Sequence, residues 1–359
     1  MKLLDRYLIR QVLWFTLLVA GALVTLAALF AFIEQQDDVG TGSFGVLDAF
    51  FVTMLLVPKQ AFQLLPIAAL IGALLGLGNL ARGSELIVIR SAGVSVARVA
   101  LAAAMGGCVL VVFGALLGEG LAPPLESYAR QVKALAKYAN LNYAEHAGIW
   151  LKDGPRVVSI EQQSADNLYG GIYVYELATG PDGRQHLTRI DHADSAALVQ
   201  GKTWRLRNFA TSALGADVVT TRRESTFLVQ SDVSPDVLGA AVVDPGSLPI
   251  RGLYRFVAHL KANGLESRAW EVALWSRIAR SLSTVLLCML AVPFVFGPLR
   301  SSGAGSRAAI GIVVGVVYFL VNRTLENSGD VYGLNPLVVA WAPVGALALV
   351  TAGAIARVR

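Results

Sequence analysis

The chain has 359 residues, of which 55% are apolar and only 15% charged, with a mean hydropathy of +0.58. A water-soluble globular chain is nearer a quarter charged, so that class is excluded. The net charge of +5 is no nucleic-acid signature, because the basic residues lie at the edges of apolar stretches, where they anchor helices to anionic lipid.

Six stretches, 11–33, 50–80, 97–122, 270–298, 306–325 and 335–356, each carry about the 20 apolar residues a helix needs to cross hydrocarbon. The first runs past a signal-peptide core and lacks a small-residue cleavage site, so it reads as retained. Lys2, Arg6, Arg10, Arg82, Arg90, Arg98, Arg300, Arg307, Arg357 and Arg359 all flank the same side of the spans. The opposite short loops hold Glu34, Asp37, Asp38, Glu326 and Asp330. The positive-inside rule puts both termini in the cytoplasm and the central block outside.

The second span is long and carries Pro58 and Pro66, which predict a kink. Lys59, Gln60 and Gln63 interrupt it at the same end, and Glu119 and Arg323 sit near the outer ends of the third and fifth spans. Charge at membrane depth is costly and tends to mark function. The alternatives are snorkelling or a structural ion pair. The pairs Gly72/Gly76, Gly114/Gly118 and Gly311/Gly315 predict close helix packing, within this chain or against another.

Within residues 82–94, a Ser84-Glu85 start, four apolar residues and an Arg90-Ser91-Ala92-Gly93 end predict a short capped helix on the cytoplasmic face. It reads either as an interfacial helix on lipid or as a docking helix, in which Glu85, Leu86, Ile89 and Arg90 meet a cytoplasmic partner. Beyond the third span, residues 125–138 contain good helix formers and no breaker, so the helix projects outward. Arg130, Lys133 and Lys137 then share one face. With Lys59 they form a basic rim suited to an anionic ligand such as a phosphorylated lipid headgroup; the bland reading is a solvated helix face.

The central block changes texture to short β-branched and aromatic runs at 148–151, 157–161, 171–177, 186–190, 196–199, 203–206 and 226–229, with turn pairs at Asp153-Gly154 and Asp182-Gly183. Many short strands at this spacing predict an all-β sandwich or jellyroll. Asp244–Pro249 reads as the linker back, and 250–263 as a short surface helix.

Catalytic and metal signals are weak. Gly201-Lys202-Thr203 lacks the preceding glycine of a phosphate-binding loop, since that position is Ala196, and it reads as a turn between strands. His146, His186, His192 and His259 are scattered, and Asp191, His192 and Asp194 read as a solvated turn. Cys108 and Cys288 lie inside spans, so no disulfide staples the central block. The expectation is a non-catalytic protein with no cofactor, no metal and no nucleic-acid partner. A membrane enzyme would need an acid/base pair or metal cluster within the spans. A stand-alone secondary lipid transporter would need broken helices and ionisable groups at mid-depth.

The runs LDRYLIR (4–10), VPK (57–59) with Pro66, GALLGLGNLARGSEL (72–86), GIWLKDG (148–154), LWSRIARSLS (274–283) and FGPLRS (296–301) resemble those of the lipopolysaccharide export permeases, in order along the whole chain. The resemblance implies an α-helical integral membrane protein with six transmembrane helices and an all-β, jellyroll-like periplasmic domain inserted between helices 3 and 4. The expected division is 1–139 for helices 1–3, 140–250 for the β domain and 251–359 for helices 4–6. The resemblance also implies partners: an LptF-like permease, two LptB-like ATPase subunits and an LptC-like single-span protein, with lipopolysaccharide as the transported lipid. Glu85 matches the family's coupling-helix carboxylate, Arg130 and Lys133 match basic positions facing lipid phosphates, and Lys59 matches the lysine of VPK. The chain departs from the family where relatives carry lysines after the first span: it has Ala31, Asp37 and Asp38. At about 0.8 kcal/mol per buried methylene, each long acyl chain costs on the order of 10 kcal/mol to extract. With no phosphate-binding loop in this chain, a partner must supply that work.

Overall fold

The computed structural model describes residues 2–138, 149–153, 155–163, 168–179, 185–200, 203–214, 218–230, 245–296 and 303–358. Among the described residues, six helices are long and apolar enough to cross a membrane. The chain divides into two compact units, one formed by Met1–Ala139 with Arg268–Arg359, the other by Asn140–Ser267.

In the first unit the helices are α1 (Lys2–Gln36), α2 (Val46–Arg82), the short α3 (Glu85–Ser91), α4 (Val96–Ala115) and α5 (Ala122–Tyr138). After the central block come α7 (Arg268–Phe296), α8 (Ala304–Val331) and α9 (Pro336–Arg357), α6 belonging to the second unit. Local signals set several starts. The Ser95 hydroxyl accepts from the Arg98 amide at the head of α4, and the Asn335 side chain accepts from Leu337, with Pro336 in the first turn of α9.

The core runs along α2. Leu70, Leu74, Leu77 and Leu80 pack with Leu8 and Val12 of α1, Val99 and Ala103 of α4, and Leu287, Ala291 and Val295 of α7. Of the most apolar window of α2, 78% is buried, against 11% for α1 and 17% for α8, where Leu17, Leu18, Leu26 and Phe30 of α1 and Val313, Val317 and Leu320 of α8 are exposed. α2 passes through Pro58 and Pro66 as one helix. The three glycine pairs all serve packing within this chain. A methyl group on Gly72 would collide with the Thr16 backbone of α1, one on Gly118 would lie 2.7 Å from the Phe62 ring, and one on Gly311 would meet Leu74 at 2.9 Å.

Between α4 and α5 the helix widens into a π turn, Leu116–Leu121. The Ala122 amide bonds back to Leu117, which frees the Gly118 carbonyl for a side chain. Pro123 and Pro124 follow at once and bring no N–H groups to restore the ordinary register.

The second unit holds one six-stranded antiparallel sheet in the order β1-β2-β3-β4-β5-β6: β1 (Ile149–Asp153), β2 (Arg156–Gln163), β3 (Leu168–Thr179), β4 (Gln185–Gln200), β5 (Thr203–Leu214) and β6 (Val219–Gln230). The all-β domain between the third and fourth spans is as expected, and its described strands form a meander. The expected strands at 186–190 and 196–199 are one long β4. Asp153 pairs with Arg156 across the first hairpin, while Gly154, Asp182 and Gly183 lie outside the described residues. Ile160, Ile172 and Ala193 are buried on one face; Trp150, Tyr175 and Tyr173 stack along the other, with the His192 ring tilted against Tyr173. Helix α6 (Ile250–Ala262), expected as a surface helix, belongs to this unit, which runs to Ser267.

Candidate functional site

The basic residues singled out on α2 and α5 do come together. Phe44, Ala49, Val52 and Ala129 form a small core that seats α5 against the start of α2, and Ser43 bonds the Ala136 carbonyl through both its amide (2.7 Å) and its hydroxyl (2.9 Å). This packing brings Lys59 of α2 beside the face of α5 that bears Glu126, Arg130 and Lys133. Lys133 Nζ donates to Gln35 Oε1 at 2.7 Å and pairs with Asp38. Lys137 lies on α5, but its side chain is outside the described residues.

Sequence reasoning missed the acid at the centre. Glu126 Oε1 accepts from Lys59 Nζ at 2.7 Å and from Arg130 Nη1 at 3.1 Å, and the Glu126 side chain is only 8% exposed. Its i, i+4 spacing to Arg130 was visible, but its link to Lys59 joins residues 67 apart. Asp38, noted as an outer-loop acid and as a departure from relatives, is the counter-ion of Lys133. Three cations thus face two carboxylates.

A second polar network lies within the spans. Arg277, on α7, pairs with Glu119 of the π turn, donates to the freed Gly118 carbonyl and lies 5.1 Å from the Phe62 ring centroid. Arg280 sits 5.9 Å from the same ring and 3.7 Å from Glu326, which also accepts from Asn322 at 2.9 Å and has Arg323 at 3.9 Å. Glu119 and Arg323, noted as charges at depth, are therefore members of ion pairs. The spans hold more charge than the hydropathy pattern suggested. Arg277 and Arg280, three apart in the LWSRIARSLS run, carried the signal.

The short helix is present but turned differently from the sequence reading. Ser84 has φ +60° and its side chain makes no cap, so the expected Ser-Glu capping is not what starts α3. Leu86 is 2% exposed within this chain's own core and Ile89 packs against that core. The apolar side chains that face out are Ile87 and Val88, 44% and 65% exposed. Glu85 accepts from the Tyr7 hydroxyl at 2.8 Å and remains exposed; Arg90 lies 5.6 Å from the Phe296 ring centroid. Beneath α3 is a cavity of about 340 Å³, lined by Ala81, Leu86, Ile87, Arg90 and Val295 among others. Asp5, the other acid on this side, pairs with Arg98 at 3.1 Å.

The model of the lipopolysaccharide export system permease LptF/LptG family matches residues 6–357. The chain belongs to that family. It is 33% identical to the lipopolysaccharide export system permease protein LptG of Haemophilus influenzae over 341 residues, 95% of this chain and 94% of that protein. It is also 33% identical to LptG of Escherichia coli K12 over 350 residues, 97% and 96% of the two chains. As an LptF/LptG permease it is a multi-pass membrane protein of lipopolysaccharide export, and the six long apolar helices agree with that.

Proposed function

We propose that the chain is the LptG-type permease subunit of an ATP-driven exporter, which extracts lipopolysaccharide from the outer leaflet of the inner membrane and passes it to a periplasmic bridge. The LptG names of its relatives and the VPK, GALLGLG and FGPLRS runs favour LptG over the sister subunit LptF. Both termini and α3 lie in the cytoplasm and the β domain in the periplasm, in keeping with the basic residues that flank one side of the spans. The work comes from two LptB-like ATPase subunits, with an LptF-like permease and an LptC-like single-span protein completing the complex; this subunit catalyses nothing itself.

The observation that carries this reading is the convergence of Lys59, Arg130 and Lys133 from two helices at the end of α2 remote from α3. There they receive the lipid's phosphates, while α3 meets the ATPase at the other end through Glu85, Ile87 and Val88 rather than through the buried Leu86. Affinity purification from native membranes, with mass identification, tests the assignment. The expected result is co-purification of an ATPase and a second permease, with ATP turnover stimulated by lipopolysaccharide. A chain recovered alone that moves the lipid with no ATPase present is a secondary transporter, and the assignment falls.

A further inference from the structure

We propose that Glu126 and Asp38 are resident counter-ions, which a phosphorylated lipid headgroup displaces from Lys59, Arg130 and Lys133. The proposal rests on the reading of this rim as the headgroup site. Glu126 offers one oxygen to two cations from two different helices. Its side chain is the least exposed of the cluster at 8%, while those of Lys59, Lys133 and Arg130 are 28%, 31% and 44% exposed. An anion arriving from outside therefore meets the N–H groups before Glu126, while Asp38, at 24%, is nearly as exposed as its partner Lys133.

The exchange favours one chemical class. A carboxylate carries a single charge, whereas a phosphate monoester carries about −1.5 to −2 and three acceptor oxygens, enough to take Lys59 and Arg130 together. Monoanions gain too little over Glu126 to replace it, so the empty site stays closed to them. The displaced Glu126 remains one helical turn from Arg130, where it repels the bound phosphate and keeps the complex reversible. Lys133, released from Asp38, still has Gln35 as a partner. The site thus selects multiply charged phosphate and lets it go again, as a lipid handed onward requires.

The test uses the full chain in lipid nanodiscs, with fluorescent lipopolysaccharide, its phosphatase-treated counterpart and inorganic phosphate as competitor. Glu126→Gln keeps the shape and an acceptor oxygen but removes the charge. It should tighten binding of the phosphorylated lipid on the order of tenfold, the ratio between a charge-assisted and a neutral hydrogen bond. Its dissociation should slow, the phosphatase-treated lipid should bind as to wild type, and inorganic phosphate should compete more strongly than it does with wild type. Asp38→Asn should move the same quantities in the same direction by less, and it decides the matter if Glu126→Gln fails to fold. Weaker binding in Glu126→Gln, matching Lys59→Ala, would make the acid a positioning group and overturn the exchange. A Lys59→Ala/Arg130→Ala variant that binds like wild type removes the headgroup reading itself. Loss in that variant with wild-type affinity and dissociation in both acid variants removes the counter-ion exchange alone.

Discussion

Arg277 lies nine residues into a membrane helix, and its side chain is 9% exposed, so its charge is largely covered by the protein and is compensated by Glu119, the Gly118 carbonyl and the Phe62 ring. Removing one member of such a pair strands the other. Arg277→Ala should therefore destabilise the protein by roughly 3–5 kcal/mol, seen as a large fall in the thermal midpoint of the solubilised chain. Arg277→Lys keeps charge but loses the fork that reaches carboxylate and carbonyl together, and should recover only part of that loss. An unchanged midpoint in Arg277→Ala would show that the network is incidental. At the rim the arithmetic differs, because phosphate replaces an existing partner and only the surplus counts, about 1 kcal/mol per cation. A Lys59→Ala/Arg130→Ala variant should then lose on the order of 10- to 30-fold in lipopolysaccharide photo-crosslinking while remaining folded. Wild-type crosslinking would leave these residues as a solvated face.

Helix α3 separates two roles that a seven-residue apolar sequence mixes. Leu86→Ala removes a side chain from the core and should cost about 2–5 kcal/mol in stability. Val88 is largely exposed, so Val88→Asp should stay within about 0.5 kcal/mol of wild type in stability. It should nonetheless abolish lipid-stimulated ATPase activity in the assembled complex, as should Ile87→Asp. A Val88→Asp complex with full stimulated turnover would remove α3 from the coupling contact. The existence and place of α3 were legible from its composition. Its orientation was not, since Leu86-Ile87-Val88-Ile89 offers four consecutive apolar residues and no period from which a face can be read. The same limit explains the sheet. Asp191, His192 and Asp194 looked like a turn, yet they lie within β4, where Arg189 pairs with Asp191 at 3.2 Å, the His192 ring lies tilted against Tyr173 at 4.5 Å and Asn208 bonds Asp194 at 2.8 Å. Spans, loop charges and the helical extension to Tyr138 were readable because they depend on near neighbours. The counter-ions of the rim were not, because Glu126 meets Lys59 only after α5 folds back on α2.

At the scale of the whole chain, burial is uneven: α2 is enclosed by its neighbours, whereas α1 and α8 turn most of their apolar surface outward. On the proposed reading the work of lipid extraction comes from an ATPase partner. The purified chain should show no ATP hydrolysis above that of a mock preparation, and turnover that persists after all contaminating ATPases are removed would contradict the permease role. α2 also has a mechanical meaning. Lys59 and Arg82 lie on the same unbroken helix, about 35 Å apart at 1.5 Å per residue, with α3 only two residues beyond. Such a helix acts as a lever: a swing of roughly 10° about one end carries the other through about 6 Å over that length. Effort applied beside α3 would reach Lys59 as displacement of a rod, with no relay of side chains between, and Pro66 is where the rod can flex. Spin labels at positions 63 and 79 should keep one narrow separation with and without ATP; a separation that broadens or splits would move the fulcrum to Pro66.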